Sequence, residues 1–345
     1  MVEAKSRLAL CSGLQTWQDA VSSAPPGGYV RALDLFCGAG LSSSGARAAG
    51  VTLAGAIDLS AVATETYAHN FPTAEVVNKR LEDVRPRILR DKIGDIQLLL
   101  ASPECTNHTC AKGSAPRSEQ SRATAMQVLR FAKAFEPRWI VMENVVHMRP
   151  WSRYPELIER LRNMGYNVRE QVLDASKFGV AQKRRRLFII CDKEDEPAEI
   201  IPRARKTRSV RDILDPDEAW TTTTLVRTGR ARDTLARAER AMAELGEGES
   251  FLIVYYGTDG CGGWQALDRP LRTVTTVDRF ALVRPSQSGH QMRMLQVPEL
   301  KRAMGLDDGF QMPVGTRRDK IRLLGNGVCP PVMAAVVKSL KAKNR

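Results

Sequence analysis

The chain has 345 residues, 43% of them hydrophobic and 26% charged, which suits a sizeable core in two domains or in one domain with an insert. A formal net charge of +13 favours a polyanionic partner, above all nucleic acid. No apolar run approaches the ~20 residues that span a bilayer, the N-terminal residues do not read as a signal peptide, and seven scattered cysteines without metal-ligand spacing argue for a reducing, cytoplasmic compartment and against a zinc site.

Residues up to about Ser23 read as a helical or loosely packed lead-in, closed by Pro25-Pro26-Gly27-Gly28. Strand and helix then alternate: strands over 32–36, 53–57, 96–100 and 139–142, helices over 41–49, 61–70, 124–135 and 154–164. This alternation predicts a doubly wound, parallel α/β sheet. Segments 168–172 and 187–191 read as strands joined by a loop too short for a crossover helix, which allows an antiparallel pair. Residues 203–281 form the expected insert. It is rich in arginine from Arg203 to Arg240, with strands over 251–256 and 271–277 around a glycine-rich turn. Helices near 298–304 and 331–341 close the chain. The expected division is a cofactor-binding, catalytic domain over 1–202 and 282–345 and a target-binding domain over 203–281.

Asp34-Leu35-Phe36-Cys37-Gly38-Ala39-Gly40 joins a strand to a helix, where glycine permits close backbone approach to a ligand. A dinucleotide fingerprint needs a third glycine at position 43, where Ser43 stands. A nucleotide without a pyrophosphate fits better than a nicotinamide cofactor, and S-adenosylmethionine is the common case. Asp58 ends the second strand, where it can hold ribose hydroxyls; the alternative is a plain tight turn with a capping aspartate. Cys105 lies just past another strand's carboxyl end, where open α/β sheets place ligands, and Glu143 ends a neighbouring strand. A carboxylate beside a thiol disfavours the thiolate, so the pairing makes sense with a substrate between them. Taken singly, Cys105 also fits a small buried hydrophobe and Glu143 an acid at a helix start. Gln182-Lys183-Arg184-Arg185-Arg186 bunches four cations; on a regular strand Arg184 and Arg186 share one face. Leu324-Gly325-Asn326-Gly327-Val328-Cys329-Pro330-Pro331 implies a special backbone turn opening the last helix.

In their order, Phe36 to Gly40, Pro103-Glu104-Cys105, Glu143-Asn144-Val145, Gln182 to Arg186, Arg269-Pro270-Leu271-Arg272-Thr273 and Gly325-Asn326-Gly327-Val328 resemble the motifs of the DNA cytosine-5 methyltransferase family over about 31–341. The resemblance implies an α/β fold, the Rossmann-like mixed sheet of S-adenosylmethionine-dependent methyltransferases, with a smaller target-recognition domain. It implies that Phe36 stacks on the cofactor adenine and that Cys37, Gly38, Ala39 and Gly40 let the cofactor approach. Asp58 then holds the ribose, Asp83 the adenine amino group and Asn326 the methionine end, with Pro103 a further cofactor-binding residue. Cys105 becomes the nucleophile that adds to C6 of a flipped-out cytosine, Glu143 meets N3, and Arg186, aided by Arg184, lies near O2. The implied partner is double-stranded DNA, the implied product S-adenosylhomocysteine, and the implied state a monomer without metal in a bacterial or phage-infected cell. A cognate restriction endonuclease is a further candidate partner. Two alternatives stand: the tRNA-methylating branch of the family, and a catalytically inactive DNA-binding subunit. The chain departs from the family at Glu104, where proline is usual, and at Thr106, where glutamine is usual. Glu104 is expected to point away from the nucleophile, towards solvent or a basic residue.

Overall fold

A computed structural model describes residues 30–104, 119, 123–202, 206–256 and 262–342. The lead-in, Cys105 and Cys110 lie outside the described residues. In chain order the first lobe runs β1 (Val30–Leu35), α1 (Leu41–Ala48), β2 (Val51–Asp58), α2 (Ala61–Asn70), β3 (Glu75–Asn78), α3 (Pro86–Ile93), β4 (Leu98–Ala101), α4 (Gln127–Phe135), β5 (Trp139–Asn144), α5 (Tyr154–Asn163), β6 (Asn167–Asp174) and β7 (Arg185–Asp192). These strands form one sheet in the order β3-β2-β1-β4-β5-β7-β6. The sheet is parallel except for β7, which runs antiparallel to both β5 and β6. The parallel strands are those the alternation predicts, and the antiparallel β6–β7 pair, which the short loop allowed, makes the sheet mixed.

The central strands are buried on both faces, which is why they read as unbroken apolar runs. Leu98 and Leu100 of β4 face one core, and Leu99 and Ala101 face the other. The second core packs under α3, α4 and α5. The first contains α1 and the C-terminal helix over 330–342. Chain order reverses between β1 and β4, so the crevice above their carboxyl ends is the natural ligand position.

The smaller lobe contains β8 (Thr223–Thr224), α6 (Arg232–Leu245), β9 (Phe251–Val254), β10 (Trp264–Ala266), β11 (Phe280–Arg284) and β12 (Gln291–Met294), in the sheet order β10-β9-β11-β12-β8. Helices α7 (Val297–Ala303), α8 (Arg317–Asn326) and α9 (Pro330–Ala342) complete the fold. The small sheet is covered twice. Phe251 and Ile253 face α6, while Leu252 and Val254 join the large core of the first lobe.

Three expectations are corrected here. The small sheet runs to Met294, past the expected boundary at 281, because β11 straddles that point and pairs with β12. Residues 271–277 are not a strand of the small sheet. Leu271 instead hydrogen-bonds across the lobes, donating to the Ala181 carbonyl and accepting from the Lys183 amide, both at 2.8 Å. β5 runs two residues past the expected bound at 142, so Glu143 lies in its last two residues, opposite Phe188 of β7.

The lobes are locked by charge. Arg293 of β12 makes a two-pronged contact to Glu299 of α7, at 2.8 and 2.6 Å, and Glu299 also accepts the amides of Asp215 and Gln296. A fully buried carboxylate needs this many donors to offset its lost hydration. The helical stretch Arg317–Ala342 is long and apolar enough to cross a membrane, yet 61% of its most apolar window is buried inside the fold. It also breaks at Gly327, between α8 and α9.

Candidate active site

β1 delivers the chain to a tight turn over the crevice. Phe36 takes a left-handed φ of 55°, which a non-glycine residue adopts only under constraint, and Gly38 and Gly40 follow at 53° and 91°. The two glycines serve different ends. A Cβ on Gly40 would stand 2.6 Å from Phe71 and 2.8 Å from Tyr67, so Gly40 is needed for packing. A Cβ on Gly38 would meet nothing within 4 Å, which leaves this backbone open to a ligand. Asp58, ending β2, accepts the Gly38 amide at 2.9 Å and the Ser60 amide at 2.8 Å. Burial raises the Asp58 carboxyl pKa, and these amides and Arg322 oppose the rise. Ser43, which ruled out the dinucleotide pattern, donates to the buried Asp34 at 2.7 Å and contacts the Tyr67 hydroxyl at 2.7 Å beneath the turn.

The turn walls a cavity of about 630 Å³. Phe36, Cys37, Gly38, Ala39, Asp58, Pro103 and Asn326 all line it. Gly40 does not line it, and burial pushes the Cys37 thiol well above the ordinary range. Asp83 does not line the cavity; Leu81 and Glu82, from the same short 3-10 turn, do. That turn presents its middle residue inward, which no sequence pattern marks. Asp319 and Arg322 of α8 also line the cavity, and sequence reading missed them because α8 carries no motif of its own before Gly325. The volume suits a nucleoside-sized ligand.

At the cavity's other end lies Glu143, 5% exposed. Its Oε1 is 3.1 Å from Arg186 Nε, an ion pair without an aligned hydrogen bond. Burial raises the Glu143 pKa, and Arg186 and Arg184 pull against that rise. Asn144 orients the neighbouring loop by donating to the Pro103 carbonyl at 3.2 Å. Cys105, two residues further on, falls outside the described residues. Glu104 is exposed and lines the cavity, so it does not simply face away from the site.

Arg184 departs from expectation. It is 2% exposed and reaches three carbonyls, those of Val274 at 3.0 Å, Gly325 at 2.7 Å and Gly327 at 3.0 Å. It lines neither cavity and clamps the two lobes instead of sharing a face with Arg186. The regular alternation fails because β7 begins only at Arg185. The Gly-Asn-Gly segment is not a separate turn opening the last helix: Gly325 and Asn326 end α8, and Gly327, with φ −73°, caps it. Its glycines permit close packing, since a Cβ on Gly325 would stand 2.3 Å from the Thr275 backbone.

Between the lobes opens a cleft of about 1200 Å³. Lys183, Arg185, Arg186, Arg269 and Arg272 supply its charge, and no carboxylate lines it among the described residues. His147, Tyr256 and Trp264 also line it, three positions without a sequence signal. Cleft and cavity share two residues, Arg186 and Asn326.

The family description "C-5 cytosine-specific DNA methylase" matches residues 30–342. The chain belongs to this family. Among curated relatives, the Type II methyltransferase M.DdeI of Desulfomicrobium norvegicum is 32% identical over 171 residues, 48% of this chain and 41% of that protein. The Type II methyltransferase M1.BsuMI of Bacillus subtilis is 32% identical over 184 residues, covering 48% and 43%. A tRNA (cytosine(38)-C(5))-methyltransferase of Rattus norvegicus is 28% identical over 172 residues, covering 49% and 44%. The matches thus span less than half the length of each of these relatives. Among solved structures, a putative DNA modification methyltransferase encoded within an E. coli prophage superposes with a TM-score of 0.66 at 20% identity, covering 92% of this chain and all of that one. A DNMT2 variant of Spodoptera frugiperda gives 0.67 at 16% identity, covering 90% and 99%. These two likenesses show the fold. Among the described residues no group of His, Cys, Asp and Glu could hold a metal ion.

Proposed function

We propose that this protein methylates C5 of cytosine in duplex DNA, taking the methyl group from S-adenosylmethionine. The observation that carries the reading is the junction of a nucleoside-sized cavity with a cation-lined cleft at Arg186 and Asn326, beside a buried carboxyl group. The open backbone at Gly38, the Asp58 carboxylate and the cavity volume fit the cofactor. When bound, it supplies an electrophilic methyl group on a sulfonium.

Cytosine C5 is a poor nucleophile until a thiolate adds to C6 and makes C5 enamine-like. Cys105 is the proposed thiolate, since it follows the β4 loop that Asn144 anchors. Glu143, with its raised pKa, holds or shares a proton at N3 as the ring becomes electron-rich. Arg186 keeps that carboxyl group oriented and can also reach the ring's O2. After methyl transfer, loss of the C5 proton and departure of the thiolate restore the ring. The target base must leave the stack to enter such a site, and the cleft arginines then hold the flanking phosphates. The same reading puts the protein in the cytoplasm, as a monomer, with a restriction endonuclease as a candidate companion.

Labelled methyl donor offered with duplex DNA and with tRNA tests this directly. Label is expected in DNA, and Cys105→Ala is expected to abolish it while cofactor binding persists. Label in tRNA alone would favour the RNA branch, to which the rat relative belongs by name. Unchanged methylation by Cys105→Ala would identify a different nucleophile.

A further inference from the structure

Among the described residues the cations that line the cofactor cavity are Lys79, Arg80, Arg186 and Arg322. Arg186 pairs with Glu143. Lys79 and Arg80 directly follow β3, the outermost strand, on the far side of β2 from the Glu143 end. Arg322 stands elsewhere. It belongs to α8, one helical turn before Asn326, and residues four apart on a helix share a face about 6 Å apart. Asn326 lies on the edge that cavity and cleft share. At the other side, the Asp58 carboxyl group that ends β2 feels the Arg322 charge. Arg322 is thus near Asp58 and one turn from the shared edge.

The Arg322 guanidinium is also uncommitted. Among the described residues it makes no hydrogen bond and no ion pair. The two acids whose charge it feels, Asp58 and Asp319, are held by other donors. Asp58 accepts two backbone amides, and Asp319 accepts the Thr316 amide and hydroxyl in a capping box. A planar guanidinium with free donors suits a carboxylate, which it can hold through two parallel bonds. S-adenosylmethionine has a single anionic group, the carboxylate of its amino-acid chain, and that chain leaves the same sulfur as the ribose. On the reading above, the ribose is at Asp58 and the sulfur faces the Arg186–Asn326 edge. The α8 wall spans these two points, and Arg322 is its cation on the cavity.

We propose that Arg322 is a cofactor-binding residue that pairs with the carboxylate of S-adenosylmethionine. Donor and demethylated product carry the same carboxylate, so the pair adds affinity for both and does not discriminate between them. Arg322 is exposed, so water screens the pair and its contribution is moderate. The proposal rests on S-adenosylmethionine being the cofactor.

The test is equilibrium binding of three probes: S-adenosylmethionine, S-adenosylhomocysteine and methylthioadenosine. The last keeps the adenine, the ribose and a neutral sulfur, as in S-adenosylhomocysteine, and lacks the amino-acid chain. The intact chain is compared with Arg322→Gln, which removes the charge, with Arg322→Lys, which keeps it, and with Lys79→Gln beyond β2. Arg322→Gln is expected to weaken S-adenosylmethionine and S-adenosylhomocysteine by about 10-fold, the scale of one charged hydrogen-bonded pair open to water, with methylthioadenosine little changed. Arg322→Lys is expected to recover part of the loss, and Lys79→Gln to affect no probe selectively. An equal loss for all three probes in Arg322→Gln would mean that Arg322 acts through Asp58 or through the fold of the wall, and would overturn the proposal. So would no loss, no recovery in Arg322→Lys, or the same selectivity in Lys79→Gln. Failure of the unaltered chain to bind S-adenosylmethionine would instead remove the cofactor reading, and the proposal with it.

Discussion

A single buried acid lies beneath the turn after β1. Asp34 is fully buried, and lost hydration pushes its carboxyl pKa up to about 7 despite the bond from Ser43. The ordinary carboxyl value is 3.8. Between these values the folded chain binds a proton that the unfolded chain has released, so stability is highest at the acid side and falls as pH rises towards 7. The full effect is about 4 kcal/mol, from roughly 1.36 kcal/mol per unit. Asp34→Asn keeps an acceptor for Ser43 and cannot titrate. Denaturant unfolding across pH 4 to 8 is expected to show a flatter stability profile for the variant; an unchanged slope would mean that other groups cause it. Arg184 depends on its surroundings just as strongly, since its sequence neighbours suggest a substrate-binding role while its three carbonyl partners make it a clamp.

The element that most depends on close approach is the junction of α8 and α9. Gly325 presses on the Thr275 backbone, where a Cβ would stand 2.3 Å from both C and O. Gly327 presses on Leu41, where the 2.3 Å approach is to a side-chain methyl group. A methyl group can rotate aside and a backbone cannot. Gly325→Ala is therefore expected to cost about 3 kcal/mol and Gly327→Ala about 1 kcal/mol, the upper and lower ends of overpacking penalties. Thermal melting of both variants checks the order, and equal losses would contradict it. β9 shows the opposite device: four consecutive apolar residues with no polar face, because a helix covers one side of the small sheet and the first lobe covers the other.

Across the molecule, the net charge of +13 is not spread evenly, because the interlobe cleft gathers five arginine and lysine side chains without an opposing carboxylate among the described residues. Phosphate binding there releases counterions, so affinity falls with salt. Lys183→Ala or Arg185→Ala is expected to reduce the slope of log affinity against log salt by about 0.9 for each phosphate that the variant no longer neutralises. Titrations of duplex DNA over a range of salt measure this, and an unaltered slope would place the nucleic acid elsewhere. Glu143 pairs with Arg186 and with neither of these two side chains, so the effect is expected in binding more than in turnover.

Local pattern determined the alternating strands and helices, the antiparallel β6–β7 pair and the glycine turn after β1. Each rests on short-range physics: side-chain periodicity, loop length and backbone freedom. Phe36, Gly38, Asp58, Glu143 and Arg186 line one cavity because β1, β2 and β5 end at the edge of the sheet where the antiparallel β7 begins. Tertiary packing alone decided the remainder. It sent Arg184 into the lobe interface, put Glu82 in the cavity where Asp83 was expected, and extended the small sheet to Met294. It also turned Glu104 into part of the cavity wall. Such outcomes depend on which distant backbone carries the nearest carbonyl, charge or surface. That information lies between segments far apart in the chain, so no window of sequence contains it.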